Sequence, residues 1–406
     1  MSSIRDPIVA GGIILAGIVA AVLVLRKENE GKDEQKTPSA TDKRKYFTPA
    51  EWDPHTRTWM LWPCRPDNWR KGAVPARKAF AMVANTIARF EPVTVGAPAS
   101  EVAATKLMLD PGVQVVPIEA DDAWVRDTGP IFAVNRVGGI RAVLFRFNAW
   151  GGEVEGCYKS WDRDARVGER IASLAGVECC TVDMVLEGGA VHLDGEGTAL
   201  VTAETLLNPN RNGSMTKWAV EGYLRDYLGC TVVIWLEHGL EGDDDTNGHI
   251  DNMAAFVRPG VVVLHWEAAG AGGGQHARSE AALAVLECAT DARGRRLEVH
   301  KLHAPPPLYI TQEEAAGVER GDDAIAREAG TRLAASYVNF YMVNKGVIMP
   351  GFGAAEEDLA ARRVLAGLCP ERAVVQLQTR EILLGGGNIH CITKQEPWPY
   401  AKPDGS

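Results

Sequence analysis

Between residues 46 and 406, short β-branched runs alternate with longer stretches of helical character, and this alternation constrains the fold most. The β-branched runs fall at 92–96, 113–118, 131–134, 142–147, 199–202, 231–236, 261–266, 346–349 and 374–377. The helical stretches fall at 75–89, 164–175, 216–228, 279–288 and 356–365. Branched side chains suit a pleated surface, whereas Ala, Leu, Glu and Arg lose little freedom in a helix. Strands separated by helices predict an α/β domain. No Pro/Ser-rich linker interrupts residues 46–406, so a single domain is predicted despite the length. No repeat of fixed period is visible along it.

The N-terminus reads differently. Residues 7–25, PIVAGGIILAGIVAAVLVL, contain no charge. At about 1.5 Å per residue, a helix of this length spans roughly 28 Å, the thickness of a bilayer core. Residues 1–26 therefore read as a membrane anchor with a single transmembrane helix, and 27–45 as a charged flexible stalk. Basic residues crowd the C-terminal side of the run (Arg26, Lys27, Lys32, Lys36, Lys43, Arg44, Lys45), against Arg5 before it. The positive-inside rule then predicts a cytosolic location for the large domain. The eight cysteines form no C-x-x-C pair, which predicts reduced thiols in a reducing compartment. A formal net charge of −10 argues against a nucleic-acid partner and suits a small cation.

Chemistry concentrates in a few polar or glycine-rich patches. Cys391 follows three glycines in GGGNIHC, where the backbone can turn sharply and approach a ligand. It is a candidate nucleophile beside the alternative of a small buried core residue. His249 and Asp251 form a His-x-Asp pair that, if extended, shares one face. Asp243, Asp244 and Asp245 with His249 and Asp251 also allow a metal reading, without a recognised ligand spacing. Asp127 lies in DDAWVRDTGP after Trp124 and Arg126, and Glu187 precedes Gly188 and Gly189. GAGGGQ at 270–275 lacks the Lys-Ser/Thr of a P-loop. A cysteine, a histidine and several carboxylates together suit a guanidinium group, a planar cation that carboxylates clamp through paired hydrogen bonds.

The stretches WPCRPDNWR (62–70), DDAWVRDTGP (121–130), LEGGAVHLDGEGT (186–198), LLNPNRN (206–212), GDDDTNGHIDN (242–252), SYVNFYMVNKGVIMPGFG (336–353) and GGGNIHCIT (385–393) occur in this order. On them the chain resembles the agmatine deiminases of the guanidine-modifying pentein superfamily. The resemblance implies a five-bladed α/β propeller with pseudo-fivefold symmetry over residues 46–406. It implies agmatine as the small-molecule substrate, N-carbamoylputrescine and ammonia as products, a place in polyamine (putrescine) synthesis, and no metal or organic cofactor. By the same resemblance Cys391 matches the nucleophile and His249 the general acid/base. Asp127 and Asp251 match the carboxylates gripping the guanidinium. Glu187 matches a glutamate that holds another guanidinium nitrogen and partners the histidine, and Trp124 a wall of the substrate channel. The family is often homo-oligomeric. Lys394, Ala190 and Gly351 depart from its usual residues. The alternatives are a deiminase of free or peptidyl arginine, with Arg126, Arg211 or Lys394 meeting a carboxylate, and a catalytically silent guanidine-binding module held at a membrane.

Overall fold

The structure, a computed structural model, describes residues 45–270 and 273–400. Sixteen strands within them form five small sheets. The first contains β1 (His55–Leu61), β2 (Val93–Ala97) and β3 (Gln114–Pro117), all parallel. The second contains β4 (Ile131–Val134), β5 (Ile140–Arg146) and β6 (Glu178–Val185). The third contains β7 (Val191–Leu193), β8 (Thr198–Thr202) and β9 (Val232–Leu236). The fourth contains β10 (Ala254–Arg258), β11 (Val261–Trp266) and β12 (Glu298–His303). The fifth contains β13 (Tyr341–Val343), β14 (Gly346–Gly351) and β15 (Ala373–Gln378). Finally β16 (Lys394–Pro397) pairs antiparallel with β1, joining the end of the described chain to its beginning.

One topology recurs: the first sheet reaches it with β16 as the antiparallel partner of β1, β2 parallel to β1, and β3 as a fourth strand, and the other four show it in chain order. An antiparallel pair leads, and a third strand joins the second in parallel. A parallel third strand needs a long crossover, and each sheet has one. The crossover helices are Val74–Ile87, Asp164–Ala175, Lys217–Leu228, Gln275–Cys288 and Ala355–Leu368. Their apolar faces explain them. In Val74–Ile87 the buried set includes Ala76, Phe80, Val83, Ala84 and Ile87, the helical period of one covered stripe. In Lys217–Leu228 it is Val220, Leu224 and Leu228, and Thr216 caps the start by accepting from the Ala219 amide.

The α/β expectation and all five helices agree with this structure, with ends shifted by a few residues. The sequence reading missed β1, β6, β7, β10, β12, β13 and β16. Several of these are three or four residues long, and β12 (EVHKLH) and β16 (KQEP) are polar. Their strand state comes from the partner they pair with rather than from propensity. Pro117 and Pro397 lie on the two edge strands of the first sheet, where a missing N–H costs no ladder bond. All eight cysteines are free.

The expectation of a membrane anchor with a cytosolic domain is corrected. No helix among the described residues is long and apolar enough to cross a membrane. The apolar run at 7–25 and all of the 27–45 stalk except Lys45 lie outside the described residues.

Candidate active site

The connection that leaves each sheet and enters the next carries the polar residues of interest. Asp127 lies between β3 and β4, and Glu187 between β6 and β7. His249 and Asp251 lie between β9 and β10, Asn339 between β12 and β13, and Cys391 between β15 and β16. Five sheet-to-sheet connections thus deliver six side chains to one place.

Gly189 marks the point of convergence. A Cβ there would lie 2.6 Å from His249 Nδ1, 2.9 Å from Asp251 Oδ2 and 3.0 Å from Asp127 Oδ1. Only glycine lets these three groups close in, and its own N–H donates to Asp127 Oδ1 at 2.8 Å. Asp127 Oδ2 accepts from the Trp150 indole N–H at 2.9 Å. Trp150 adopts φ +63°, a left-handed conformation that bulky residues rarely hold. That backbone strain sits at a residue oriented onto the site, a recurrent feature of functional positions.

Residues 250–253 form one helical turn with His249 at its N-cap, so the pair is not extended as the sequence reading supposed. His249 Nδ1 lies 3.9 Å from Asp127 Oδ2, and its Nε2 is buried with no hydrogen-bond partner. Glu187 is fully buried, with Oε1 2.5 Å from Arg211 Nε and Oε2 unpartnered. The expectation that Glu187 partners the histidine is therefore corrected: its bonded partner is Arg211, and the carboxylate nearest His249 is Asp127. Arg211 is itself held by Asn210, Asn247 and the Thr246 carbonyl.

Asp251 Oδ2 accepts from His390 Nδ1 at 2.8 Å, while Oδ1 is buried and unpartnered. His390 Nε2 lies 2.8 Å from Glu51 Oε2. An imidazole between two buried carboxylates donates at both nitrogens only as imidazolium. Burial and Arg126 oppose that charge, but Glu51 and Asp251 outweigh them and raise the His390 pKa. Burial pushes Asp251 up, yet His390, His249 and Arg126 together hold it below the usual value. Asp251 is therefore held toward its ionised form. The sequence reading gave no role to His390, Glu51, Asn339 or Trp150; adjacency of His390 to Cys391 was the one available signal.

His390 also sets a pH dependence of stability. A histidine whose folded pKa is raised stabilises fully below its unfolded value, near 6.5. That contribution is lost as pH rises through the folded value. His390→Gln, which leaves Asp251 without its cation and Glu51 with Arg126 alone, is expected to cost about 3–5 kcal/mol at pH 6. Denaturant unfolding at pH 6 and pH 9 checks it, with a smaller difference between wild type and variant at pH 9.

Cys391 Sγ lies 3.7 Å from Asp251 Oδ2 and accepts from Asn339 Nδ2 at 3.3 Å. The Asn339 Oδ1 also holds the His390 amide at 3.0 Å, fixing the turn that carries the cysteine. Burial, Asp251 and Asp127 push the Cys391 thiol well above its ordinary pKa. Burial likewise raises Asp127, aided by Asp251 and Glu187 and opposed by His249. The carboxylates are thus crowded around the thiol and oppose its ionisation. A cation among them lowers every one of these pKa values.

Cys391 and Asp127 line one cavity. Trp124 and Trp150 are among its other lining residues. Trp124 is fixed by its indole N–H, which donates to Asp122 Oδ2 at 2.9 Å. The metal reading finds no support in the acidic loop. Asp243 Oδ2 accepts from Asn252 and Asp245 Oδ2 from Arg327, and the loop's carboxylates and His249 do not gather into one ligand sphere. Among the described residues the one cluster of metal-ligand type is Glu51, His192 and His390. There Arg126 Nη2 lies 3.3 Å from Glu51 and His390 Nε2 lies 2.8 Å from the same carboxylate, so the cluster is already ion-paired.

Of the departures, Lys394 is buried with Nζ donating to the Arg126 carbonyl at 3.0 Å. Ala190 is buried in the 3-10 turn after Glu187, and Gly351 lies on β14 against Gln378.

Comparison with known proteins agrees with this arrangement. Residues 47–397 match the model of the Porphyromonas-type peptidyl-arginine deiminase family. An agmatine deiminase of Stutzerimonas stutzeri is 51% identical over 362 residues, covering 88% of this chain and 97% of the relative. One from Medicago truncatula is 48% identical over 361 residues, covering 87% and 96%. Among solved structures, the agmatine deiminase of Enterococcus faecalis superposes with a TM-score of 0.85 at 38% identity, covering 90% of this chain and 99% of that one. The likeness extends to the pentein-type α/β fold.

Proposed function

The chain belongs to the Porphyromonas-type peptidyl-arginine deiminase family, and we propose that within it this chain is an agmatine deiminase. It hydrolyses agmatine to N-carbamoylputrescine and ammonia, a step toward putrescine and the polyamines. Residues 46–406 are the catalytic unit. The five sheets of one topology, with β16 returning to β1, support a five-bladed propeller with pseudo-fivefold symmetry.

The observation that carries the reading is a set of unmet acceptors around a thiol. Glu187 Oε2, Asp251 Oδ1 and His249 Nε2 are buried without partners, and Asp127 and Cys391 adjoin them. Buried polar atoms are rarely left unpaired without a reason. A guanidinium, with five N–H donors and a fixed charge, satisfies both carboxylates and offsets their mutual repulsion.

The chemistry follows from that occupancy. Asp127, Glu187 and Asp251 grip the guanidinium and hold its carbon against Cys391. The bound cation favours the thiolate, and the thiol proton passes to His249. Sulfur attacks the guanidinium carbon, and a C–S bond forms. His249 returns a proton to one terminal nitrogen, the C–N bond breaks and ammonia leaves. The product of this half is an S-alkylthiouronium on Cys391. Water then attacks the same carbon and gives a proton to His249. The C–S bond breaks, releasing N-carbamoylputrescine and restoring the thiol.

The test is ammonia release from agmatine, arginine and a peptidyl-arginine by the full chain. Agmatine is expected to be the preferred substrate. Release from an arginine substrate in preference to agmatine would keep the chemistry and overturn the substrate. No release from any of the three by folded protein would overturn the reading.

A further inference from the structure

A second cavity shares no lining residue with the one that holds Cys391. Adjacent residues of two turns part between them: Asp127 and Cys391 line the first, Arg126 and His390 the second. None of the five groups assigned to the reaction lines the second cavity. Lys394 does, and the chain makes room for it. A Cβ on Gly188 would lie 2.5 Å from Lys394 Nζ, so the amine occupies space that only glycine leaves open.

Three donors at this cavity have unused capacity. Lys394 is buried, and its Nζ makes one hydrogen bond, to the Arg126 carbonyl at 3.0 Å. An amine carries two N–H donors and an ammonium three, so at least one is left. Burial holds His192 down at about 4, so its ring is neutral. Its Nδ1 accepts from the Phe256 amide at 3.3 Å, which puts the ring hydrogen on Nε2. That nitrogen makes no hydrogen bond among the described residues. Thr48 Oγ1, at the same cavity, is buried with no partner among them. Buried donors are rarely left open without a reason. The cavity's own carboxylate cannot serve them. Glu51 Oε1 accepts from the Met342 amide at 2.8 Å, and Oε2 from His390 and Arg126. Another part of the wall is apolar, with Ile131, Phe132 and Val191.

We propose that this cavity binds a small organic carboxylate, its oxygens on Lys394, His192 and Thr48 and its hydrocarbon part against Ile131, Phe132 and Val191. A carboxylate offers about four lone-pair sites, enough for all three donors. The apolar wall favours an organic acid over inorganic phosphate, which has no surface to bury there. Burial and Arg126 push the Lys394 amine well below its ordinary pKa, against Asp127 and Glu51. An anion beside the amine favours its charged form. The proposal goes beyond the agmatine reading and does not depend on it, because a silent guanidine-binding module would carry the same cavity.

Isothermal titration of the full chain with sodium butanoate, and separately with inorganic phosphate, tests this. The wild type is expected to bind one butanoate with a Kd below about 10 mM. Lys394→Gln keeps an N–H donor but removes the charge. It is expected to weaken butanoate at least about 10-fold, the size of one charged hydrogen bond. No saturable binding by the wild type, or an equal Kd in the variant, would overturn the proposal. Phosphate binding more tightly than butanoate would overturn the carboxylate assignment and mark a site for inorganic anions. Should Lys394→Gln fail to fold, Thr48→Val decides. It removes only the hydroxyl and is expected to weaken butanoate at least about 2-fold. Unchanged affinity there would equally overturn the proposal.

Discussion

Cys391→Ser abolishes ammonia release from agmatine, with kcat lowered at least about 10³-fold, while the protein melts within a few degrees of wild type. Serine differs from cysteine by one atom and fits the same buried position. It still reaches the Asn339 side chain, which contacts sulfur at 3.3 Å. Its hydroxyl, however, ionises far less readily than a thiol. Burial and the charges of Asp251 and Asp127 already push the cysteine up, and serine starts several pKa units higher. Substrate binding is retained, because Asp127, Glu187 and Asp251 are intact. Isothermal titration with agmatine therefore still registers binding while ammonia assays read background. Turnover within 10-fold of wild type would remove Cys391 from the nucleophile's place.

His249→Ala is expected to lower kcat by about 10²–10⁴-fold, with a much smaller change in KM. Nε2 of His249 is a buried imidazole nitrogen without a partner, and no other histidine at the site can replace it. His390 has both nitrogens committed to Asp251 and Glu51, and burial holds His192 down at about 4. Guanidinium binding persists because the carboxylates remain. Asp127 loses the histidine that lowers its pKa, so the residual activity falls away at low pH sooner than in wild type. His249→Asn separates proton transfer from packing. It fills much of the space but cannot act as a base, and it should be as inactive as the alanine variant. An asparagine variant near wild-type turnover would exclude proton transfer by His249.

The parts of the site differ in how far sequence displays them. Cys391 stands after three glycines, and Glu187 before two, so local pattern singles them out. The other halves of their interactions are remote in sequence. Glu51 meets His390 across 339 positions, and Asn339 meets Cys391 across 52. Neither Glu51 nor Asn339 stands in a local pattern that marks it. Arg211 was considered for a substrate carboxylate, and only the structure ties it to Glu187. The same holds for Arg327 at the cavity, in a segment without periodicity or motif.

The sequence by itself determined the elements whose stability is local. The helices Val74–Ile87, Asp164–Ala175 and Lys217–Leu228 bury one stripe each, and the central strands are β-branched, so period and propensity suffice. The tertiary structure decided the repeat. Leading strands of successive sheets begin at 131, 191, 254 and 341, an irregular spacing that hides five copies of one topology. Three-residue strands such as β7 and β13 exist only as partners, because a pleated ribbon that short has too few ladder bonds to stand alone. The site forms by the same route. Each of five connections contributes one or two polar residues, and their burial together leaves the unmet polar atoms on which the proposed guanidinium site rests.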